Sequence, residues 1–237
     1  MFQVEPEIVR MERKDPLEGA KAALRAAVLR ATEGDGEALR PLARALGAHY
    51  HLSPGNRLLV AAQAGRARRA WNSTRWAEMG HVVHPEAEGV LVNAPRGDGG
   101  FTVKALYTEA EVEPRPREED LKLDTALLLP ALKGFLKEGD PEDPEEAFLR
   151  AGTRYLVRGL GHGSPKLWEE LRVAEAWMAA TALQGLLGRE ADLPLEERVL
   201  LGAYGKRPAL LGESLKRVGG AVSVLAQALG LVPKRRG

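Results

Sequence analysis

Apolar positions in the first part of the chain recur every three to four residues. Leu17, Ala20, Leu24, Val28 and Ala31 share one face of a helix predicted over 16–31, with Asp15 placed to cap it and Pro16 at its first position. Gly34 and Gly36 break the pattern, and a second helix is predicted over 37–46. Ser53-Pro54 opens a third, which carries Leu58, Leu59, Ala62 and Gln63 to about residue 64. After a short helix around Trp76 the period changes to two. Segments 89–95 and 101–107 read as strands, and Arg96-Gly-Asp-Gly-Gly100 between them fits a hairpin. The charged, proline-rich stretch 113–120 reads as a linker. Beyond it the pattern is helical over 125–137, 144–160, 166–187, 195–204 and a long carboxy-terminal region through Leu229. The fold class expected is α+β and mainly helical, in two lobes. The first, over 1–115, is a small module with a short antiparallel sheet; the second, over 121–237, is a helical domain.

Composition narrows this picture by exclusion. No run approaches the roughly 20 apolar residues that cross a bilayer, and the amino terminus lacks the basic flank and apolar stretch of a secretory signal. Cysteine is absent, which excludes disulfides and thiolate zinc sites. The expected compartment is the cytoplasm, with no membrane partner. The 34 basic and 33 acidic residues give a net charge of +1. That balance argues against a mimic of DNA, which needs a strongly acidic surface.

Charge distribution is more informative than its sum. Arg57, Arg66, Arg68, Arg69 and Arg75 lie within nineteen positions that hold no acidic residue, and Trp71 and Trp76 are interleaved with them. Guanidinium groups neutralise phosphates and indole faces stack on unpaired bases, the combination used by single-strand binders. Spacing alone leaves both tryptophans open between core and stacking positions, and the arginines open between a binding surface and the coat of a helix end.

Tyr50-x-x-Ser53-x-x-Asn56-x-x-Leu59-x-x-x-Gln63, then Trp76-x-x-x-Gly80-x-x-Val83, then Gly89-Val-Leu-Val and Pro95, follow in order. This pattern, over roughly 45–114, resembles the amino-terminal domain of ArdC-type antirestriction proteins. The resemblance implies a single-stranded-DNA-binding domain joined to a zinc-metallopeptidase-like domain. With the arginine–tryptophan window and the resemblance taken together, the expected nucleic-acid contacts are Asn56, Arg57, Arg66, Arg68, Arg69, Trp71, Arg75, Trp76, Lys104 and Tyr107. One turn departs from the family pattern: His81-Val-Val-His84-Pro-Glu-Ala-Glu88 stands where lysines are usual.

The peptidase-like half would carry His-Glu-x-x-His on one helix and a glutamate ligand on the next, two imidazoles holding zinc while the first glutamate activates water. Here Tyr155-Leu-Val-Arg158-Gly159-Leu160-Gly161-His162 puts Arg158 in place of a ligand and Gly159 in place of the general base. Glu175 falls at the third ligand. An arginine repels a cation, so neither metal nor other cofactor is expected at Arg158, Gly159, His162 and Glu175. An ion pair between Arg158 and Glu175 would join the two helices instead; alternatively His162 simply caps a helix. The histidines at 49, 51, 81 and 84 do not suggest a metal site, and Lys234-Arg-Arg236 reads as a basic tail. The function expected is non-enzymatic binding of single-stranded DNA. Two other readings remain, a helical protein-interaction module and a metal-dependent hydrolase with an unrecognised site.

Overall fold

The computed structural model describes residues 15–161, 168–190 and 193–233. Nine α-helices and five strands follow one another among them. Helices α1 (Glu18–Thr32), α2 (Gly36–Ala48) and α3 (Pro54–Gln63) come first. Next are β1 (Ala70–Trp71), α4 (Ser73–Glu78), β2 (Val82–Val83), β3 (Val90–Pro95), β4 (Phe101–Thr108) and β5 (Val112–Glu113). A 3-10 turn at Glu119–Leu121 leads to α5 (Thr125–Leu128), which tightens into a 3-10 helix over Leu129–Phe135. Helices α6 (Pro144–Gly159), α7 (Glu169–Leu186), α8 (Glu197–Leu200, ending in a π turn over Leu201–Gly205) and α9 (Ala209–Ala228) complete the chain. No helix among the described residues is long and apolar enough to cross a membrane.

Local chemistry explains most of the boundaries. Asp35, Ser53, Asn72 and Asp143 each accept a backbone N–H at the start of α2, α3, α4 and α6, and Pro54 and Pro144 occupy first positions. The first helix starts later than its sequence suggests. Asp15 accepts the Leu17 N–H at 2.9 Å and forms the turn before it, so Leu17 is the cap and joins the core. The hairpin between β3 and β4 forms as expected: Arg96 N–H donates to the Gly100 carbonyl at 2.8 Å, and Gly99 takes a φ of 83°.

Strands β1, β4 and β3 form one antiparallel sheet in that order, and β2 pairs with β5 in a separate ribbon. The ribbon was not evident in the sequence. It absorbs part of the stretch expected to be a linker, whose Pro116 is buried, as is Leu121 just after it.

The main core does not respect the expected division at 115–121. Leu39, Leu42, Leu46 and Leu58 from the first half pack in one cluster with Met178, Ala182, Leu186, Leu215 and Val222 from the second. Helices α2 and α7 cross at backbone contact: a Cβ on Gly47 would stand 1.7 Å from the Ala182 carbonyl oxygen, and one on Gly185 2.1 Å from that of Arg44. The sheet module is built onto this bundle through α3.

Candidate nucleic-acid interface

Asn56 and Gln63 are seven residues apart, two helical turns, and so project from one side of α3. That side lies along β3, whose outer edge is covered by no strand among the described residues. The Asn56 amide donates to the Asn93 carbonyl at 2.7 Å and accepts its N–H at 3.0 Å. Gln63 does the same for Leu91, both at 2.9 Å. The helix therefore stands in for a missing strand. Val60 on one flank packs against Val90, Val92 and Leu106, while Leu59 on the other meets Leu91 and Val103, which point from the opposite sheet face. Asn56, expected among the nucleic-acid contacts, is committed to the fold.

Two of the expected arginine contacts are corrected the same way. Arg57 and Arg69 are each only 1% exposed. The Arg57 guanidinium donates to the carbonyls of Leu46, Tyr50, Leu52 and Gly219 and to the Ser223 hydroxyl, at 2.7–3.0 Å. Arg69 donates to the carbonyls of Ala48, Arg68 and Leu186. A third buried arginine, Arg44, reaches the carbonyls of Arg189 and Ala67. Most of these carbonyls belong to the carboxy-terminal ends of α2 and α7 or the turns after them, where helices leave acceptors unfilled and the dipole favours a cation. Burial lowers the pKa of Arg57 to about 10, so it remains charged at neutral pH.

Trp76 is also corrected, from stacking candidate to core. It is fully buried, and its indole N–H donates to the Tyr107 carbonyl at 2.8 Å. The Trp71 ring lies 4.8 Å from it and the His81 ring 5.6 Å, both inclined. Trp71 and Tyr107, opposite one another on β1 and β4, are half-buried against this cluster. Arg75 is exposed, sits 5.8 Å from the Trp71 ring centroid and pairs with Glu78 at 2.8 Å. Lys104 is exposed on β4 on the face opposite to Tyr107. The turn that departs from the family pattern is tied down rather than basic. His81 is buried with Nδ1 2.6 Å from the Pro114 carbonyl, and His84 is 3.5 Å from Glu113. Among the described residues no three potential ligands gather to hold a metal.

Arg66 and Arg68 have a different setting. They line a groove of about 620 Å³ with Arg115, Thr108, Glu109 and Glu118. Arg68 pairs with Glu118 at 2.8 Å, and Glu109 accepts the backbone N–H groups of Arg68 and Arg69. Arg66 and Arg115 are exposed and form no hydrogen bond or ion pair with the described residues. At Gly65, Arg66 and Glu190 the groove meets a second cavity of about 530 Å³, walled by Arg40 and floored by Arg44. Arg40, Arg44 and Arg115 escaped the sequence reading. Arg44 had a visible signal, an arginine inside the apolar run Leu42-Ala-Arg-Ala-Leu46.

In the second half, α6 stops at Gly159 and Gly161 takes a left-handed φ of 69°. The helical relation expected between positions 158 and 162 is thus not continued; His162 itself lies outside the described residues. Glu175 is fully buried and accepts the Ser214 hydroxyl at 2.6 Å and an N–H of Arg217. The expected ion pair is corrected: Arg158 is exposed, with its guanidinium 5.8 Å from the Phe135 ring. Arg158, Gly159 and Arg217 do share a cavity of about 570 Å³ with Phe135 and Tyr155. Arg217 therefore connects that cavity to Glu175.

Comparison with protein-family models, with curated proteins and with solved structures finds no match for this chain.

Proposed function

We propose that the protein binds single-stranded DNA through the groove lined by Arg66, Arg68 and Arg115, in the manner its resemblance to the ArdC-type amino-terminal domain implies. One observation carries the reading: Arg66 and Arg115 stand unpaired on the walls of one concave groove. Buried Arg44 and Arg69 lie close behind, held by carbonyls and by no carboxylate. The groove also carries Glu109, Glu118 and Glu190; Arg68 is paired with Glu118, which leaves Arg66 and Arg115 as the cations open to a phosphate.

Binding on this basis is led by the backbone. Trp71 and Tyr107 do not line the groove, so base stacking contributes at its margin and sequence preference is weak. The lost ligand and base at positions 158 and 159 give no reason to assign peptidase chemistry. Fluorescence anisotropy with labelled single- and double-stranded oligonucleotides over a salt series tests the proposal. Single strands should bind more tightly than duplex, and affinity should fall steeply with salt as counterions are released. Equal binding to duplex, or no binding at low salt, overturns it.

A further inference from the structure

The second cavity holds a feature that the groove reading does not use. Arg44 is 6% exposed and forms its floor. Its Nε and Nη1 donate to the carbonyls of Arg189 and Ala67 at 3.0 and 3.2 Å, but its buried Nη2 has no partner. The comparison with its neighbours is informative. Arg57 and Arg69 are buried more deeply and leave no buried nitrogen unpaired. Buried donors are nearly always satisfied, so this one is an exception; Nη2 itself is closed to solvent, and Arg44 must shift for it to meet an acceptor in the cavity that its side chain lines.

The rest of the cavity suits a multiply charged anion. Arg66, exposed and unpaired, lies on its wall. Arg40 is held in place by Glu37 at 2.8 Å and by the Leu193 carbonyl at 3.0 Å. Among the described residues its lining carries three guanidinium groups and two carboxylates, Glu37 and Glu190, with Arg40 already engaged by Glu37. Guanidinium forks match the tetrahedral oxygens of phosphate, and Arg44 on the floor with Arg66 on the wall can share one such group. A phosphomonoester, with about two charges near pH 7, matches this pair better than an internal phosphodiester with one. The cavity opens into the groove at Gly65 and Arg66.

We propose that the Arg44 cavity is a phosphomonoester site, which receives the terminal phosphate of a strand whose following nucleotides lie in the adjoining groove. The strand part rests on the single-strand reading above; the phosphate site does not.

Two measurements separate them. In the first, inorganic phosphate is titrated into the full chain at constant ionic strength, with chloride as the control, and the thermal midpoint is followed. A saturable rise is expected with phosphate only. Arg66→Ala should weaken it at least tenfold, and Glu190→Gln should strengthen it by removing the carboxylate at the mouth. In the second, one oligonucleotide is compared with a 5′-phosphate, a 3′-phosphate or hydroxyl ends. One phosphorylated form should bind at least tenfold more tightly than the hydroxyl form, and Arg44→Lys, which keeps the charge but loses the fork, should abolish that advantage. If Arg44→Lys does not fold, Arg66→Ala and Glu190→Gln carry the test. Saturable phosphate binding without any oligonucleotide binding keeps the site and removes the groove reading. Oligonucleotide binding with no end preference and no saturable phosphate effect overturns the site.

Discussion

Replacing Arg57 by alanine removes a cation whose role is inside the fold. Its guanidinium reaches four carbonyls and one hydroxyl. Gly219 and Ser223 retain each other, since the Ser223 hydroxyl also donates to the Gly219 carbonyl at 3.0 Å. The carbonyls of Leu46, Tyr50 and Leu52 have no other donor among the described residues. The Leu46 contact is buried and the other two are partly buried; leaving a buried acceptor unmet costs about 1–3 kcal/mol, so the three together cost about 3 kcal/mol or more. A domain of this size has roughly 5–15 kcal/mol in total. Arg57→Ala should therefore unfold the protein or lower its urea midpoint drastically, read by far-UV circular dichroism and tryptophan fluorescence. Arg57→Lys should recover only part of the loss, because an ammonium cannot span the same carbonyls. Arg66→Ala, removing an exposed and unpaired arginine, should leave the midpoint nearly unchanged. A well-folded Arg57→Ala variant with a midpoint close to that of the parent would refute the assignment of this arginine to the fold.

Gly47→Ala should destabilise by at least about 1–3 kcal/mol, because its methyl group meets the backbone of α7 and neither helix can yield cheaply; a neutral result in urea denaturation contradicts the helix crossing. Asn56→Ala and Gln63→Ala each free two groups on the β3 edge. Each should speed hydrogen exchange at the Asn93 or Leu91 amide respectively, and unchanged protection would show that the edge is held otherwise. His49 is 1% exposed with Nδ1 unpartnered, and burial holds its pKa well below the usual 6.5. The unfolded chain then takes up the proton first, so stability is full above pH 6.5 and falls as pH drops below it, by about 1.4 kcal/mol per pH unit for this group. Urea midpoints should stay level from about pH 7.5 to 6.5 and fall between about 6.5 and 5.5, and a profile level throughout contradicts the neutral buried imidazole.

Features governed by neighbouring residues were legible in the sequence. Ser53-Pro54 begins α3, Asp143-Pro144 begins α6 and Arg96–Gly100 turns the hairpin, because caps, prolines and glycines act within a few positions. Features set by distant backbone were not. The arginines look alike in sequence, yet Arg57 and Arg69 are buried and Arg66 is not, since their fate depends on where the ends of α2 and α7 fall. Charge spacing gave no sign of this, and helix-end carbonyls carry no sequence mark. The 113–120 segment reads as a linker from its prolines and charges, yet the pairing of β5 with β2 and the burial of Pro116 tie it to the sheet module. Two alanine-rich helices crossing at Gly47 and Gly185 likewise join what composition suggested as separate lobes. In the second half, residue types suggested a pairing of Arg158 with Glu175, but a guanidinium that reaches this carboxylate comes from Arg217 on α9, forty-two positions away.

The arginines divide into those that close helix ends and those left to face a ligand, and anisotropy on one pair of variants tests that division most directly. A labelled single strand is titrated against the parent chain and against the Arg66→Ala, Arg115→Ala double variant, each from low to high salt. The parent should bind the single strand more tightly than duplex, and the double variant should bind weakly, with a dependence on log salt shallower by about 1.4 units for two lost phosphate contacts. A folded double variant with the parent's affinity and salt slope, or a parent that binds no single strand at low salt, contradicts the account.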